Sequence, residues 1–343
     1  MHADGKPLSV IIVHFNEIRF LKDCFDSLRG QGFKDFKVFI VDNASKPQNR
    51  KLLIDFLKGI PDLEIDLILN KYDLFFSGGA NKVLKQVTSP YVCLMNPDVA
   101  LPPDLFEKAI KFLESDESIS LFAPKALVYG LKNRVLFAGG QVRPFTHYFS
   151  RHVGYFRKDS PEFTRIYKTD FLNAACLFAR NEVFQKTGLF DELFFSYVED
   201  GDFSFRARKA GYSLIYNGNL FFYHKVPVGK NLGRMSVRNS EFHYYLILRN
   251  RHIFLWKDFP ISTIIGSYFT WSLYNLIAAT ILNILFRKFA LIRLHLRAMI
   301  MGTLQGIKRR TNRSCQSLFK KEIKFIYKIS FPKNDRLMAG QMV

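Results

Sequence analysis

Between Leu8 and Leu113 one pattern repeats: a short, almost continuous apolar run, then an amphipathic stretch. Leu8–Val13 predicts a strand, Glu17–Leu28 a helix, Phe36–Val41 a strand and Gln48–Leu57 a helix. Leu63–Leu69, Gly78–Val87 and Tyr91–Met95 continue as strand, helix and strand. Pro102 and Pro103 open a further helix to about Leu113, since a proline in the first helical turn lacks only an N–H that has no partner there. Strands that are apolar throughout, rather than alternating, are buried on both faces. That requires helices on both sides of a mostly parallel sheet, an α/β fold.

The regularity lapses from Ala126 to Lys168, where short strands, Gly139–Gly140 and the basic aromatic stretch Arg143–Arg157 predict an irregular insertion over the sheet. It returns with a strand at Phe171–Ala179, helices at Asn181–Thr187 and Gly201–Ala210, and a strand at Tyr212–Tyr216. A long helix is expected from Val237 to about Trp256. These features divide the chain into a catalytic-type α/β domain over 1–235 and a helical region over 236–343.

That helical region has its own character. Phe259 to Phe286 carries no charged residue, a length sufficient to span a bilayer. Residues 287–343 then hold 14 Lys/Arg against only Glu322 and Asp335. A single span would carry this basic tail across the membrane, against the positive-inside tendency. An in-plane or re-entrant helical hairpin is therefore favoured over a span; a buried helix pair is the plain competitor. The formal net charge of +20 calls for an anionic partner, and the 36 Phe for an apolar face beyond the core. Basic clusters beside an apolar segment bind anionic head groups at roughly 1 kcal/mol per residue. The four cysteines form no C-x-x-C pair, and the apolar run Leu8–Val13 is too short for a signal peptide. Reduced thiols and a cytoplasmic site are expected, on a membrane face in peripheral, monotopic or single-span form.

In open α/β sheets, ligands bind beyond the carboxyl ends of the strands. Polar residues collect there: His14, Asn16 and Glu17; Asp42, Asn43 and Ser45; Asn70 and Asp73; Asn96, Pro97 and Asp98. Asp98, made rigid by Pro97, suits a hard cation that keeps positions for phosphate, yet all three residues of the triplet also favour turns. Asp42 suits the imide N–H of uracil or thymine, or equally an Asx-type cap. Gly78–Gly79 fits close approach to phosphate or close helix packing. Glu199, Asp200 and Asp202 complement a helix dipole, but Phe194, Phe195 and Tyr197 before them desolvate a carboxylate and raise its pKa, as a general base requires. His224, at a later strand end, is either structural or a further metal ligand.

Five segments taken together resemble the family 2 glycosyltransferases of GT-A fold: LSVIIVHFN at Leu8–Asn16, VDNAS at Val41–Ser45, GGAN at Gly78–Asn81, LMNPD at Leu94–Asp98, and KTGLFDELFFSYVEDGDFSFRARKAGY from Lys186 to Tyr212. The resemblance covers roughly 7–225 and leans to the rhamnosyltransferase-like branch of bacterial surface polysaccharide (O-antigen and lipopolysaccharide type) synthesis. It implies a Rossmann-like sheet and an inverting transfer from a dTDP- or UDP-sugar to a lipid-linked glycan at the cytoplasmic face of the inner membrane. It further implies that Asp42 contacts the base and that Asp98 holds Mg²⁺ or Mn²⁺. Asp200 is then the catalytic base, with Glu199 the alternative base or an orienting group. Asn16, Glu17, Asn70, Gly79, Asn81 and Asn96 fall in the donor-binding segments. Two departures stand out. Asn96 occupies the first acidic position of the DXD-type motif, and Asp73 and Phe75 stand where the family has Asn and Gly.

A sugar nucleotidyltransferase would need a Gly-rich basic loop after the first strand, which His14–Phe15–Asn16–Glu17 lacks. The remaining alternative is a basic membrane- or nucleic-acid-binding protein on the same scaffold without transferase activity. No nucleic-acid module is recognisable, so a nucleic-acid partner is not expected.

Overall fold

The computed structural model describes residues 5–131, 133–145, 150–225, 240–285 and 289–311, together with 322, 323, 325, 326 and 329. Most of the basic tail, including Cys315, and the expected helix start at Val237 lie outside the described residues. The chain forms two compact units: Met1–Gln141, His152–Phe195 and Phe203–Met235 in one, and Val142–Arg151, Ser196–Asp202 and Ser236–Val343 in the other.

The first unit is built on a mixed sheet. Its elements begin with β1 (Leu8–His14), α1 (Ile18–Arg29), β2 (Phe36–Asp42), α2 (Pro47–Lys58), β3 (Ile65–Leu69), α3 (Phe75–Leu84) and β4 (Tyr91–Met95). Then come β5 (Val99–Ala100), α4 (Leu105–Glu114), β6 (Leu121–Val128), β7 (Val135–Phe137) and the ribbon of β8 (Gly140–Val142) and β9 (Ser150–His152). β10 (Ile166–Lys168), β11 (Cys176–Arg180), α5 (Asn181–Thr187), α6 (Glu199–Lys209) and β12 (Leu214–His224) follow, α6 starting in the second unit's segment. The main sheet runs β10-β12-β6-β11-β4-β1-β2-β3.

The half containing β4, β1, β2 and β3 is parallel, as the continuous apolar runs predict. Leu8, Val10, Ile11 and Ile12 of β1 are all buried, which happens only when both faces of the strand are covered. α1 buries Leu21, Cys24, Phe25 and Leu28, the spacing of one helix face. Beyond β4 the sheet becomes mixed, because β11 is antiparallel to both β4 and β6. Cys24, Cys93 and Cys176 are buried free thiols.

One central strand departs from the sequence reading. β6 is wholly buried and pairs with β12 over most of its length, although part of it falls in the stretch expected to be irregular. Its Pro124 is what disguises it, since proline in a central strand removes a ladder hydrogen bond. The partner strand accommodates this: Pro124 lies opposite Asn217, and the register shifts between Asn217 and Phe221 at that point. β12 then continues to His224, where it pairs with β5 so that His224 faces Val99.

The second unit is helical: α7 (Ser240–Asp258), α8 (Ile261–Ser267), a five-residue π-turn (Tyr268–Ser272), α9 (Leu273–Leu285) and α10 (Phe289–Arg310). α7 and α10 pack closely because Gly302 and Gly306 face α7. A Cβ on Gly302 would strike the backbone of Arg249, and one on Gly306 would come 2.6 Å from Cβ of Trp256. The apolar stretch is not itself a hairpin. Ser267, Tyr268 and Leu273 all keep right-handed helical angles, so α8 passes through the π-turn into α9 without reversal. Among the described residues, no helix is long and apolar enough to cross a membrane.

Candidate active site

The ends of β1, β2 and β3 converge on one buried polar network. Asp42, the last residue of β2, is completely buried. His14 Nε2 accepts from the Glu17 backbone N–H at 3.1 Å. A backbone N–H can only donate, so the other ring nitrogen, Nδ1, carries the proton and donates to Asp42 Oδ1 at 3.2 Å. The second carboxylate oxygen accepts from Arg50 Nε at 2.7 Å and from the Ser45 N–H at 3.3 Å. Burial alone would raise the Asp42 pKa, but the hydrogen bonds from His14, Ser45 and Arg50 outweigh it and hold the carboxyl below its ordinary range.

This arrangement changes how Asp42 can serve. Both of its oxygens are engaged, whereas Arg50 keeps 28% of its side chain exposed. Arg50 Nη2 also donates to the Asn70 carbonyl at 2.7 Å, so the guanidinium is pinned across the ends of β2 and β3. Asn70 is buried, its amide nitrogen bonded to Asn43 Oδ1. Asn16 has a left-handed backbone, and its Oδ1 accepts from the Lys46 N–H and Asn49 Nδ2, both at 2.9 Å. Glu17 contributes its backbone N–H to His14. Arg50 was not visible as a site residue from sequence, because nothing in a helix-borne arginine eight positions after Asp42 marks it.

Asp98 is both a turn residue and a candidate ligand. The turn is real: Val99 N–H bonds the Asn96 carbonyl at 3.3 Å, and Asn96 N–H bonds Ala175 at 2.9 Å. It presents the Asp98 carboxylate to His224, with Oδ1 and Nε2 3.0 Å apart. The two residues are 126 positions apart in sequence, and the β5–β12 pairing unites them. Their side chains keep 19% and 13% exposure, enough for a ligand to reach them. A carboxylate oxygen beside an imidazole nitrogen is a donor pair suited to a divalent first-row cation, with the remaining positions left to phosphate oxygens and water. No group of three His, Cys, Asp or Glu side chains is placed to hold a metal among the described residues.

Gly79 and Asn81 are placed differently from the strand-end residues. Both lie inside α3 and are buried. A Cβ on Gly79 would come 2.8 Å from Val13 and 3.0 Å from Asn43, so the glycine brings the helix onto β1 and β2. Asn81 tethers the following loop, donating to the Phe190 carbonyl at 2.9 Å and accepting from its N–H at 3.1 Å.

In the helical unit, Ser196–Asp202 is held by α7. Asn250 Nδ2 donates to the carbonyls of Ser196 (2.9 Å) and Tyr197 (2.7 Å), and Lys257 pairs with buried Asp202. Between these anchors Tyr197 and Val198 take left-handed backbone angles, φ 70° and 71°. For a β-branched residue that is a strained conformation of the kind retained at functional sites. Glu199 is buried, and its Oε2 has no hydrogen-bond partner among the described residues. Burial, then the neighbouring Asp200 charge, pushes the Glu199 carboxyl well above its ordinary pKa. Asp200 is half-buried and its Oδ1 accepts from the Gly201 N–H at 2.8 Å. Asn250 and Lys257, far along the chain, carried no motif that would have identified them.

Comparison with known proteins places these features in a wider group. Residues 9–175 match the glycosyl transferase family 2 domain. The amylovoran biosynthesis glycosyltransferase AmsB of Erwinia amylovora is 26% identical over 106 residues, 31% of this chain and 35% of that protein's length. The low-salt glycan biosynthesis hexosyltransferase Agl10 of Haloferax volcanii is 22% identical over 317 residues, covering 89% of this chain and 92% of the relative. Among solved structures, the mannosyltransferase PcManGT from Pyrobaculum calidifontis, in complex with GDP-Man and Mn²⁺, superposes over 87% of each chain with a TM-score of 0.54. Its 14% identity makes that a likeness of fold.

Proposed function

We propose, from the match of residues 9–175 to the glycosyl transferase family 2 domain, that the chain transfers a sugar from a nucleoside-diphosphate donor, of the dTDP or UDP type, to a growing surface glycan. Rhamnose is the sugar we infer, and a lipid-linked glycan at the cytoplasmic face of a bacterial inner membrane the acceptor. The observation that carries this reading is the Asp98–His224 pair, in which strand pairing brings His224 to an Asp98 that lies in the matched segment.

In this reading the strand-end network binds the nucleotide, with Asp42 holding Arg50 in place and Arg50 meeting the base. Asp98 and His224 hold Mg²⁺ or Mn²⁺, which when bound offsets the charge of the departing diphosphate. Asp200 takes the proton of the acceptor hydroxyl as that oxygen attacks the anomeric carbon in a single inverting displacement. Asp200 serves better than Glu199, because its carboxylate is half-buried and within reach of an acceptor, whereas Glu199 is buried. Glu199 then acts as an orienting acid or the alternative base.

The test is a thermal-shift screen of the purified protein against UDP-, dTDP- and GDP-sugars with Mn²⁺ or Mg²⁺. A metal-dependent shift with dTDP-rhamnose, lost in Asp98→Ala and in His224→Ala, is expected. The reading is lost if no sugar nucleotide shifts the wild type with either metal.

A further inference from the structure

The helical unit carries an apolar stripe that its own fold leaves uncovered. Ile261, Ile265, Phe269, Leu273, Ile277 and Ile281 follow at four-residue intervals through α8, the π-turn and α9. Each keeps between 47% and 74% of its surface exposed. In α8 and the π-turn, Ile264, Ser267 and Ser272 are buried. α10 adds a second row, Leu296, Ile300 and Leu304, exposed by 42–57%. Phe145, itself half-exposed, lies against Gly266 on α8, where an added Cβ would come 2.7 Å from its ring. An apolar surface this extensive marks an interaction site.

The charge around it identifies the partner. The stretch Phe259–Phe286 has no ionisable acid or base of the Asp, Glu, Lys or Arg type, and residues 287–311 carry seven Lys/Arg and no Asp or Glu. The chain that follows the stripe, through α10, is therefore cationic, with Arg297 paired to Glu322. A second copy of the chain would bring the same cationic stretch against it, like charge facing like. An anionic bilayer offers the complement to both features, acyl chains for the stripe and phosphate head groups for the cations. No described helix is long and apolar enough to cross a membrane, and the exposed row on α8 and the π-turn is backed by buried Ile264, Ser267 and Ser272, so the geometry is that of helices lying in the interface plane.

We propose that this face, formed by α8, the π-turn, α9 and the outer side of α10, is a lipid-seating surface selective for anionic membranes. The proposal does not depend on the transferase reading, since nucleotide binding is measured separately.

The experiment is flotation of the full chain with phosphatidylcholine vesicles, with and without 30% phosphatidylglycerol. The triple variant Ile265→Glu/Phe269→Glu/Ile277→Glu is compared with the wild type, and Ile265→Leu/Phe269→Leu/Ile277→Leu serves as the apolar control. Wild type and leucine control are expected to float with the anionic vesicles, and the glutamate variant to lose at least about ten-fold in apparent affinity. Circular dichroism and thermal unfolding of all three should coincide, because the substituted side chains point outward. Equal flotation of wild type and glutamate variant overturns the proposal. So does failure of the wild type to float, whether it is monomeric or forms a dimer in sedimentation that the glutamates abolish.

Discussion

His14, Asp42 and Arg50 form a relay in which each group fixes the next: the Glu17 N–H sets the His14 tautomer, His14 and Ser45 orient Asp42, and Asp42 aims Arg50. Removing the guanidinium leaves a buried carboxylate oxygen short of its strongest donor, which destabilises by about 1–3 kcal/mol. Arg50→Ala should therefore lower the urea midpoint and also weaken nucleoside-diphosphate binding by calorimetry; unchanged binding in a folded variant would remove Arg50 from the donor site. The sign at Glu199 runs the other way from that at Asp42. A carboxyl whose folded pKa lies above its unfolded value of about 4.3 contributes stability that is complete below that pH and is lost as pH rises through the folded value. Glu199→Gln, neutral throughout, should show a smaller fall in melting temperature between pH 5 and pH 8 than the wild type, and parallel falls would contradict the raised pKa. Position at a strand end was legible in the sequence for Asp42, Asn70 and Asp98, because it follows from the order of apolar runs. Which of these side chains stay open was not, because burial of Asp42 depends on an arginine supplied by the next helix, and the Asp98–His224 contact on a pairing across the sheet.

Elements were recognisable where a single periodicity governed them and hidden where a partner compensated for a local fault. The parallel strands β1–β4 and helix α5 follow directly from runs of apolar residues and their caps. β6 was obscured by Pro124, whose missing donor is absorbed by a register shift in β12 that no local pattern announces. The α7–α10 contact likewise rests on absence, with Gly302 and Gly306 leaving room for the facing backbone. Gly302→Val should therefore force the helices apart and cost about 1–3 kcal/mol as overpacking. Thermal melts followed by helical circular dichroism will read this as a lower midpoint; an unaltered midpoint would mean that the two helices do not pack through this glycine.

At the scale of the whole chain, a net charge of +20 acts together with an exposed apolar stripe. The two respond differently to salt: phosphate contacts weaken steeply as counterions cease to gain by release, whereas apolar burial does not. Raising sodium chloride from 50 to 300 mM should abolish retention on duplex DNA while leaving much of the vesicle binding in place, and the reverse order would favour a nucleic-acid partner. The partition of the chain also bears on how it can be taken apart. Glu199 and Asp200 sit in sequence between strands of the sheet, yet the side chains that restrain their segment, Asn250 and Lys257, arrive some fifty residues later on α7. A fragment ending before residue 240 would retain every acid of the motif and lose both of its anchors. The molecule is thus severable in appearance only: its acidic segment is borrowed from one stretch of chain and moored by another, so a piece that keeps this segment anchored must reach through α7.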